Sequence, residues 1–259
     1  MTAFKMPNMV RTAPYTSPSL EGLFIDTTTV NHGYVTAGYV GLRPKYNRLK
    51  FQVWKGGQAY NYDLHPEQKP LQYPVNMGDG VYYFRIMENT EGSTFAQVVS
   101  VEKNVRLVNK LAPYTIPTVF CNYDTDGPCT RISKLLLPSC KTETEALDAA
   151  YKWTAGYLKY DYEKAKRLAE SSGYVPNPDA TLKERRGICF DYASMCAALL
   201  RCADIPCRVV TGYVDGRFYH SWVVAYVDNR WRRRDPTYFS VLKGDYKAGS
   251  YKYTNRFVY

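Results

Sequence analysis

Several features that define whole classes of protein are missing from this chain of 259 residues. No apolar run reaches the length of a membrane-spanning helix, and the first twenty residues hold Pro7, Pro14 and Pro18 instead of the apolar core of a secretion signal. No Cys-x-x-Cys pair occurs, and no histidine lies near the cysteines between positions 121 and 140, which argues against a zinc site. Internal repeats and nucleic-acid-binding motifs are also missing. From these absences we expect a packed globular protein that binds no metal.

Acidic residues are fewer than basic ones, with 24 Asp and Glu against 34 Lys and Arg and a net charge of +10. Such a charge predicts attraction to anionic surfaces, and a cell-wall polymer is one candidate. The basic residues are dispersed, however, and the run Arg232-Arg233-Arg234 would point to both faces of a strand. We therefore expect no nucleic-acid partner. The oligomeric state stays open.

The N-terminal half has the pattern of a small all-β domain. Residues 1–20 are punctuated by prolines and predict a flexible arm. Residues 21–110 contain short runs rich in Val, Tyr, Phe and Thr between turn signals, and Arg48–Trp54 and Gln58–Leu64 flank Gly56-Gly57 as in a hairpin. Five to seven strands in this range predict a β-sandwich.

From residue 111 onward the pattern becomes mixed, which predicts a second domain over 111–259. Helical spacing of apolar residues predicts helices over Thr142–Tyr160 and Tyr162–Glu170, and Tyr174–Ala180, with two prolines, predicts an extended loop. The run that starts at Cys189 is apolar or small at almost every position, which predicts a buried central helix.

Cys189 would stand at the N-terminus of that helix. The positive end of the helix dipole favours a thiolate there, and free backbone N–H groups can receive an oxyanion. A reactive thiol also needs a base and a group that orients the base.

The following strands offer both of these groups. Patterns rich in β-branched residues predict strands over Ile205–Val214, Phe218–Val227 and Arg230–Asp235, with Asp228-Asn229 as a two-residue turn. In that register Trp222 pairs with Asp235, so Asp235 is the diagonal neighbour of His220 on one face of the sheet, at a distance that a histidine and a carboxylate can bridge.

Four segments in this order resemble the transglutaminase-like superfamily, a papain-related group, in the form of a bacterial two-domain member. They are Gly187–Ala193, Ile205–Tyr213, His220–Trp222 and Trp231–Thr237. The resemblance covers about 113–259 and implies an α+β protein, in which a papain-like domain of N-terminal helices and an antiparallel β-sheet follows the β-sandwich.

The resemblance also implies roles for individual residues. Cys189 is expected to be the nucleophile, His220 the base and Asp235 the orienting acid. Tyr160, before the cysteine segment, is a candidate oxyanion donor, and the alternative is that it is a buried structural tyrosine. Trp222 is expected to support the site. No cofactor is implied, since the sequence has no acidic cluster for the calcium that some transglutaminases use.

The expected activity is attack on a peptide or glutamine amide through a thioester. Hydrolysis is favoured over cross-linking, because an amine acceptor needs a dedicated channel that no motif indicates. The alternative is a non-catalytic cell-surface binding module that keeps the fold. Similar bacterial proteins are usually exported, so we expect an extracellular or cell-surface location, with a cytoplasmic one as the alternative.

Overall fold

The computed structural model describes residues 22–39, 47–65, 69–169, 171, 173–243 and 247–259. The arm expected over residues 1–20 lies outside these ranges. The described part divides into two compact units, of which the first ends at Pro113 and the second starts at Tyr114. Within the described ranges no helix combines the length and the apolar character that crossing a bilayer requires.

The first unit consists of β-strands. They are β1 (Leu23–Asp26), β2 (Tyr34–Tyr39), β3 (Leu49–Lys55), β4 (Gln58–Leu64), β5 (Leu71–Pro74), β6 (Gly80–Glu91) and β7 (Thr94–Val105). Antiparallel pairing forms one sheet in the order β1-β2-β5 and a second in the order β4-β3-β6-β7. The predicted hairpin between β3 and β4 is present, and its two turn glycines have φ of 55° and 86°, which favours glycine at both positions.

Aromatic side chains join the two sheets of this unit. The ring of Tyr73 in β5 lies 4.5 Å from the ring of Phe51 in β3 and 4.9 Å from that of Tyr62 in β4, measured between centroids. All three are almost fully buried. The alternation of buried and half-buried residues along β3 places its apolar side chains in this core.

The second unit begins with helices and ends with a sheet. Its helices are α1 (Pro128–Leu136), α2 (Glu143–Tyr157), α3 (Tyr162–Ala169), α4 (Pro178–Glu184), α5 (Cys189–Arg201) and α6 (Pro236–Val241). Its strands are β8 (Lys159–Tyr160), β9 (Arg186–Gly187), β10 (Cys207–Val214), β11 (Phe218–Val227), β12 (Arg230–Arg234) and β13 (Tyr253–Val258). The last four form an antiparallel sheet in the order β12-β11-β10-β13, and β8 pairs with β9. The predicted α+β class, with a β-rich N-terminal region, is confirmed.

Helix α5 is the centre of the core of this unit. From Asp191 to Arg201 every residue is buried, as the apolar run predicts. The side chain of Arg201 is also fully buried, and it donates hydrogen bonds to the backbone oxygens of Cys207, Ile116 and Tyr259. These bonds satisfy the guanidinium away from water and tie the helix to β10.

Two sequence expectations need correction. The stretch Tyr174–Ala180 is not extended throughout, because its last three residues begin α4: Asn177 caps this helix by accepting from the N–H of Ala180, and Pro178 occupies the first turn, where a missing N–H costs nothing. The strand after Asp228-Asn229 ends at Arg234, and the helix α6 follows it directly.

Candidate active site

Cys189 is the first residue of α5, as expected. Ile188 before it has an extended backbone with φ of −93° and ψ of 177°, so the helix starts abruptly at the cysteine. The N–H groups of the first helical turn therefore have no helical carbonyl partner. The thiol of Cys189 is only partly buried, whereas the helix behind it is packed on all sides. This combination offers a thiol and free N–H donors at one accessible point.

A buried carboxylate holds this helix start in place. Asp191 is fully buried, and its Oδ2 accepts from the backbone N–H of Ile188 and from Nζ of Lys164, each at 2.8 Å. Its Oδ1 accepts from the hydroxyl of Tyr174. Three donors compensate a charge that would otherwise be costly to bury. The network links α3 and the loop before α4 to the residues that flank Cys189.

Two members of this network could not be predicted from the sequence. Lys164 and Tyr174 precede Asp191 by 27 and 17 positions, and neither spacing corresponds to a local motif. The position of Asp191 three residues after Ile188, within one turn, is the one local indication of a cap.

His220 lies in β11, almost fully buried, between two acidic groups. Its Nε2 is 2.8 Å from Oδ2 of Asp235, and Cys189 lies close enough to raise the pKa of the imidazole. Since Nε2 faces the carboxylate, Nδ1 is the nitrogen left for the sulfur. The ring of Tyr238 lies against the imidazole at a centroid distance of 4.6 Å. The structure thus brings Cys189, His220 and Asp235 together.

Asp235 is fixed by its position at the start of α6. It is fully buried and is the N-cap residue, with Oδ1 accepting from the N–H of Tyr238 at 3.0 Å. Its Oδ2 accepts from the hydroxyl of Tyr253 at 2.7 Å as well as from His220. Both carboxylate oxygens are therefore occupied, and the side chain has no freedom to turn away from the imidazole.

The hairpin register explains how His220 and Asp235 meet. Val227 pairs with Arg230 and the ladder continues to Val223 and Arg234. One further step places Asp235 level with Trp222, two residues from His220, which is the predicted diagonal arrangement. Asp228 and Asn229 have φ of 50° and 60°, the left-handed conformations of a tight two-residue turn.

Burial by itself lowers the pKa of His220, because it disfavours the charged imidazolium. The hydrogen bond to Asp235 and the charge of its carboxylate, with a contribution from the nearby Cys189, outweigh that effect and raise the pKa to about 10. At neutral pH the imidazole is therefore protonated. An imidazolium in this position can stabilise a thiolate and can donate a proton to a leaving group.

Tyr160 and Trp222 both lie near this centre, in different roles. Tyr160 in β8 pairs with Gly187, two residues before Cys189. Burial raises its pKa to about 12, and the charge of Cys189 is the next cause, so the phenol lies within electrostatic range of the sulfur. Trp222 is fully buried and packs edge-on against the ring of Tyr253 at 4.8 Å. Trp222 belongs to a small buried cluster with Val210 and Val214 of β10.

An open pocket of about 540 Å³ adjoins Tyr160. Its lining residues are Tyr157, Lys159, Tyr160, Glu184, Arg185 and Arg186. Arg186 is paired with Asp161, with its Nε at 2.8 Å from a carboxylate oxygen. Residues of β8 and β9 contribute to this lining, and β9 ends at Gly187, two residues before Cys189.

The other cysteines differ from Cys189. All seven are free thiols, so the three between positions 121 and 140 form no disulfide. Five are buried, namely Cys121, Cys129, Cys196, Cys202 and Cys207. Burial raises the pKa of each of these five, to about 11 for Cys121 and about 12 for Cys196 and Cys202. Structural thiols in such surroundings are inert.

Comparison with known proteins agrees with this site. Residues 130–236, which include Cys189, His220 and Asp235, match the family model of the transglutaminase-like superfamily. The resemblance recognised from the motifs is confirmed for this segment.

Two curated relatives each match less than half of the chain. The kyphoscoliosis peptidase of Homo sapiens is 27% identical over 118 residues, which are 41% of this chain and 17% of that protein. UPF0252 protein MJ1282 of Methanocaldococcus jannaschii is 29% identical over 124 residues, or 44% of this chain and 33% of that protein. The chain thus spans a third or less of these relatives.

Among solved structures, the periplasmic domain of TgpA from Pseudomonas aeruginosa, bound to ethylmercury, superposes with a TM-score of 0.40 and 14% identity. The superposition covers 88% of this chain and 99% of that one.

Proposed function

We propose that this transglutaminase-like protein is a thiol enzyme that hydrolyses amide bonds of a protein or peptide substrate. One observation carries the proposal: the imidazole of His220 is held by Asp235 at 2.8 Å and lies close enough to Cys189 for that group to raise its pKa. A nucleophile, a base and an orienting carboxylate grouped in this way are the set that thiol acyl transfer requires.

The first half of the reaction forms a thioester. The sulfur of Cys189 attacks the carbonyl carbon, and the oxyanion that forms is received by the free N–H groups of the first turn of α5. The phenol of Tyr160 is our candidate for a second donor to this oxyanion, because it lies near the sulfur and its raised pKa keeps it protonated. As the carbon–nitrogen bond breaks, the imidazolium of His220 gives its proton to the leaving amine.

The second half regenerates the enzyme. His220, now neutral, takes a proton from a water molecule, which attacks the thioester and releases the carboxylic acid, so that Cys189 is left as a thiolate beside the imidazolium of His220. Asp235 keeps the ring in position through both steps because its two oxygens are held by separate donors. An amine in place of the water would give transamidation, and we favour water because it needs no dedicated channel.

A digest of unfolded proteins tests this proposal without a known substrate. The wild type is expected to release new peptides that mass spectrometry identifies, and Cys189→Ala is expected to release none. Cys140→Ala is the matched control, since Cys140 is the other thiol that is not fully buried. Equal turnover by Cys189→Ala and the wild type would refute the proposal. Addition of a dansylated primary amine separates the two outcomes, because only transamidation labels the acyl product.

A non-catalytic binding module is the second candidate, and it would keep the fold without an activated thiol. Wild-type protein in which Cys189 is alkylated no faster than in unfolded chain would support it. The hydrogen bond between His220 and Asp235 argues against this candidate, because a site without catalytic activity does not require a buried imidazole held by a carboxylate.

The place of action is also part of the proposal. We place the enzyme outside the cytoplasm or at the cell surface, where its charge of +10 would hold it on an anionic polymer. Fractionation of the source cells separates this from the cytoplasmic alternative. Salt-dependent binding to isolated cell-wall material tests the surface, and binding that is unchanged by salt would exclude the electrostatic account.

A further inference from the structure

Asp235 has a third contact that lies outside the segment shared with the superfamily. The hydroxyl of Tyr253 donates to its Oδ2 at 2.7 Å, and the same oxygen accepts from His220 at 2.8 Å. Tyr253 is the first residue of β13, whereas the matched segment ends at residue 236. Because Asp235 is fully buried, bulk water cannot simply take the place of this phenol.

The position of Tyr253 is determined by the fold around it. β13 approaches β10 so closely at Gly212 that a Cβ there would come 2.0 Å from the backbone oxygen of Thr254. This glycine therefore permits the pairing of Val214 with Tyr253 and brings the phenol to the carboxylate. The guanidinium of Arg233 lies 3.9 Å above the ring centre. The pairing of β13 with β10 and the contact with Arg233 together fix the orientation of the Tyr253 ring.

We infer that Tyr253 is a positioning residue that acts through Asp235, fixing the carboxylate and limiting how tightly it holds the proton of His220. The inference rests on the proposed function for its catalytic meaning. A donor to a carboxylate spreads part of the negative charge and makes the oxygen a weaker acceptor for its other partner. With two donors on Oδ2, the imidazolium is held less firmly and can release its proton to a leaving amine.

The charged and titratable groups around this pair come from four elements. Cys189 of α5 and Tyr238 of α6 face the imidazole, and Arg233 of β12 covers the ring of Tyr253 of β13. Removal of the phenol hydroxyl leaves every one of these groups in place. The effect of Tyr253→Phe on His220 therefore reports the lost hydrogen bond and not a changed neighbour.

The test measures the pKa of His220 by NMR of its imidazole nuclei in the full chain. The chain has three histidines, and His220→Ala identifies the signal. A Cys189→Ala background removes the thiol, whose titration would otherwise be coupled to that of the imidazole. In this background Tyr253→Phe is expected to raise the pKa, with the protonation equilibrium shifted by about threefold to tenfold. Tyr213→Phe, which alters an exposed ring of the same sheet, is expected to leave it unchanged.

The direction of the shift decides between positioning and mere packing. If Tyr253 only packs the carboxylate into place, its loss loosens the contact between Asp235 and His220, and the pKa falls or stays constant. Either result would overturn the inference. A thermal melt of Tyr253→Phe confirms that the comparison is made on folded protein.

Failure of the inference differs from failure of the proposed function. If the pKa of His220 is unchanged in Tyr253→Phe, but the alkylation rate of Cys189 in the wild type depends on His220, only the inference about Tyr253 is refuted. If the pKa of His220 rises in Tyr253→Phe, but Cys189 is unreactive, only the proposed enzymatic function is refuted.

Discussion

Gly187 lies so close to Asp191 that a Cβ on the glycine would be 2.5 Å from the Cβ of the aspartate. Gly187 ends β9 just before the helix that carries Cys189, and Asp191 lies in the first turn of that helix. The aspartate cannot retreat because it is buried and bonded to Ile188, Lys164 and Tyr174. The identity of the glycine is thus required by space and not by its backbone angles.

The first prediction concerns this contact. Gly187→Ala forces a methyl group into filled space, so we expect the free energy of unfolding to fall by about 1–3 kcal/mol. We also expect slower alkylation of Cys189, because the displaced Asp191 carries the helix start with it. Urea denaturation and timed alkylation measure the two effects. Gly156→Ala is the control: nothing lies within 4 Å of its would-be Cβ, and alanine suits its exposed helical position. Equal stability of both variants would contradict the prediction.

The second prediction concerns the buried charge itself. Asp191→Asn removes the partner of Lys164, whose side chain is only 13% exposed, and we expect a loss of about 3 kcal/mol in unfolding free energy. Asp148→Asn breaks the pair with Arg234 in a more exposed position and should cost less than about 1 kcal/mol. Chemical denaturation of the two variants compares the sites. A loss no larger for Asp191→Asn than for Asp148→Asn would show that its charge is not needed.

The third prediction follows from the protonation of His220. Its pKa is raised from 6.5 to about 10 in the folded protein, so the folded state holds the proton more tightly than the unfolded chain does. The resulting stabilisation is fully present below pH 6.5 and is lost as the pH rises through about 10. The melting temperature of the wild type should exceed that of His220→Gln by a margin that shrinks between these limits. A margin that is constant with pH would mean that the pKa of His220 is the same in both states.

The fourth prediction concerns selectivity among the thiols. Iodoacetamide at neutral pH should modify Cys189 first and Cys140 more slowly, while the five buried cysteines react only after unfolding, since burial protects them and raises their pKa. Peptide mapping by mass spectrometry at several times measures each rate. In His220→Ala the rate at Cys189 should fall towards that of Cys140. Rapid modification of Cys196 or Cys207 in folded protein would show that the core opens on this timescale.

The parts of the site that could be predicted are those set by local spacing. The turn at Asp228-Asn229 fixes a register, and the register places Asp235 diagonally from His220 without further information. The helix predicted over Thr142–Tyr160 is present as α2 over Glu143–Tyr157, and the side chain of Thr142 caps it by accepting from the N–H of Glu145.

The parts that could not be predicted depend on contacts distant in sequence. No strand was expected at β13, so the sequence offered no means to single out Tyr253 among 25 tyrosines. α6 is only six residues long and starts with Pro236, shortly after β12 ends. A proline in this place indicates the end of a strand as readily as the first turn of a helix. The classification of Tyr160 as oxyanion donor or structural residue stays a prediction.

Asp235 performs two tasks with its two oxygens: one starts α6 and the other holds His220. The same side chain thus caps a helix and orients the imidazole of His220. A chain that is opened at this corner loses the start of α6 and the orientation of the His220 imidazole in one step. Local unfolding of α6 is therefore expected to change the surroundings of His220 even while β11 stays paired with β10.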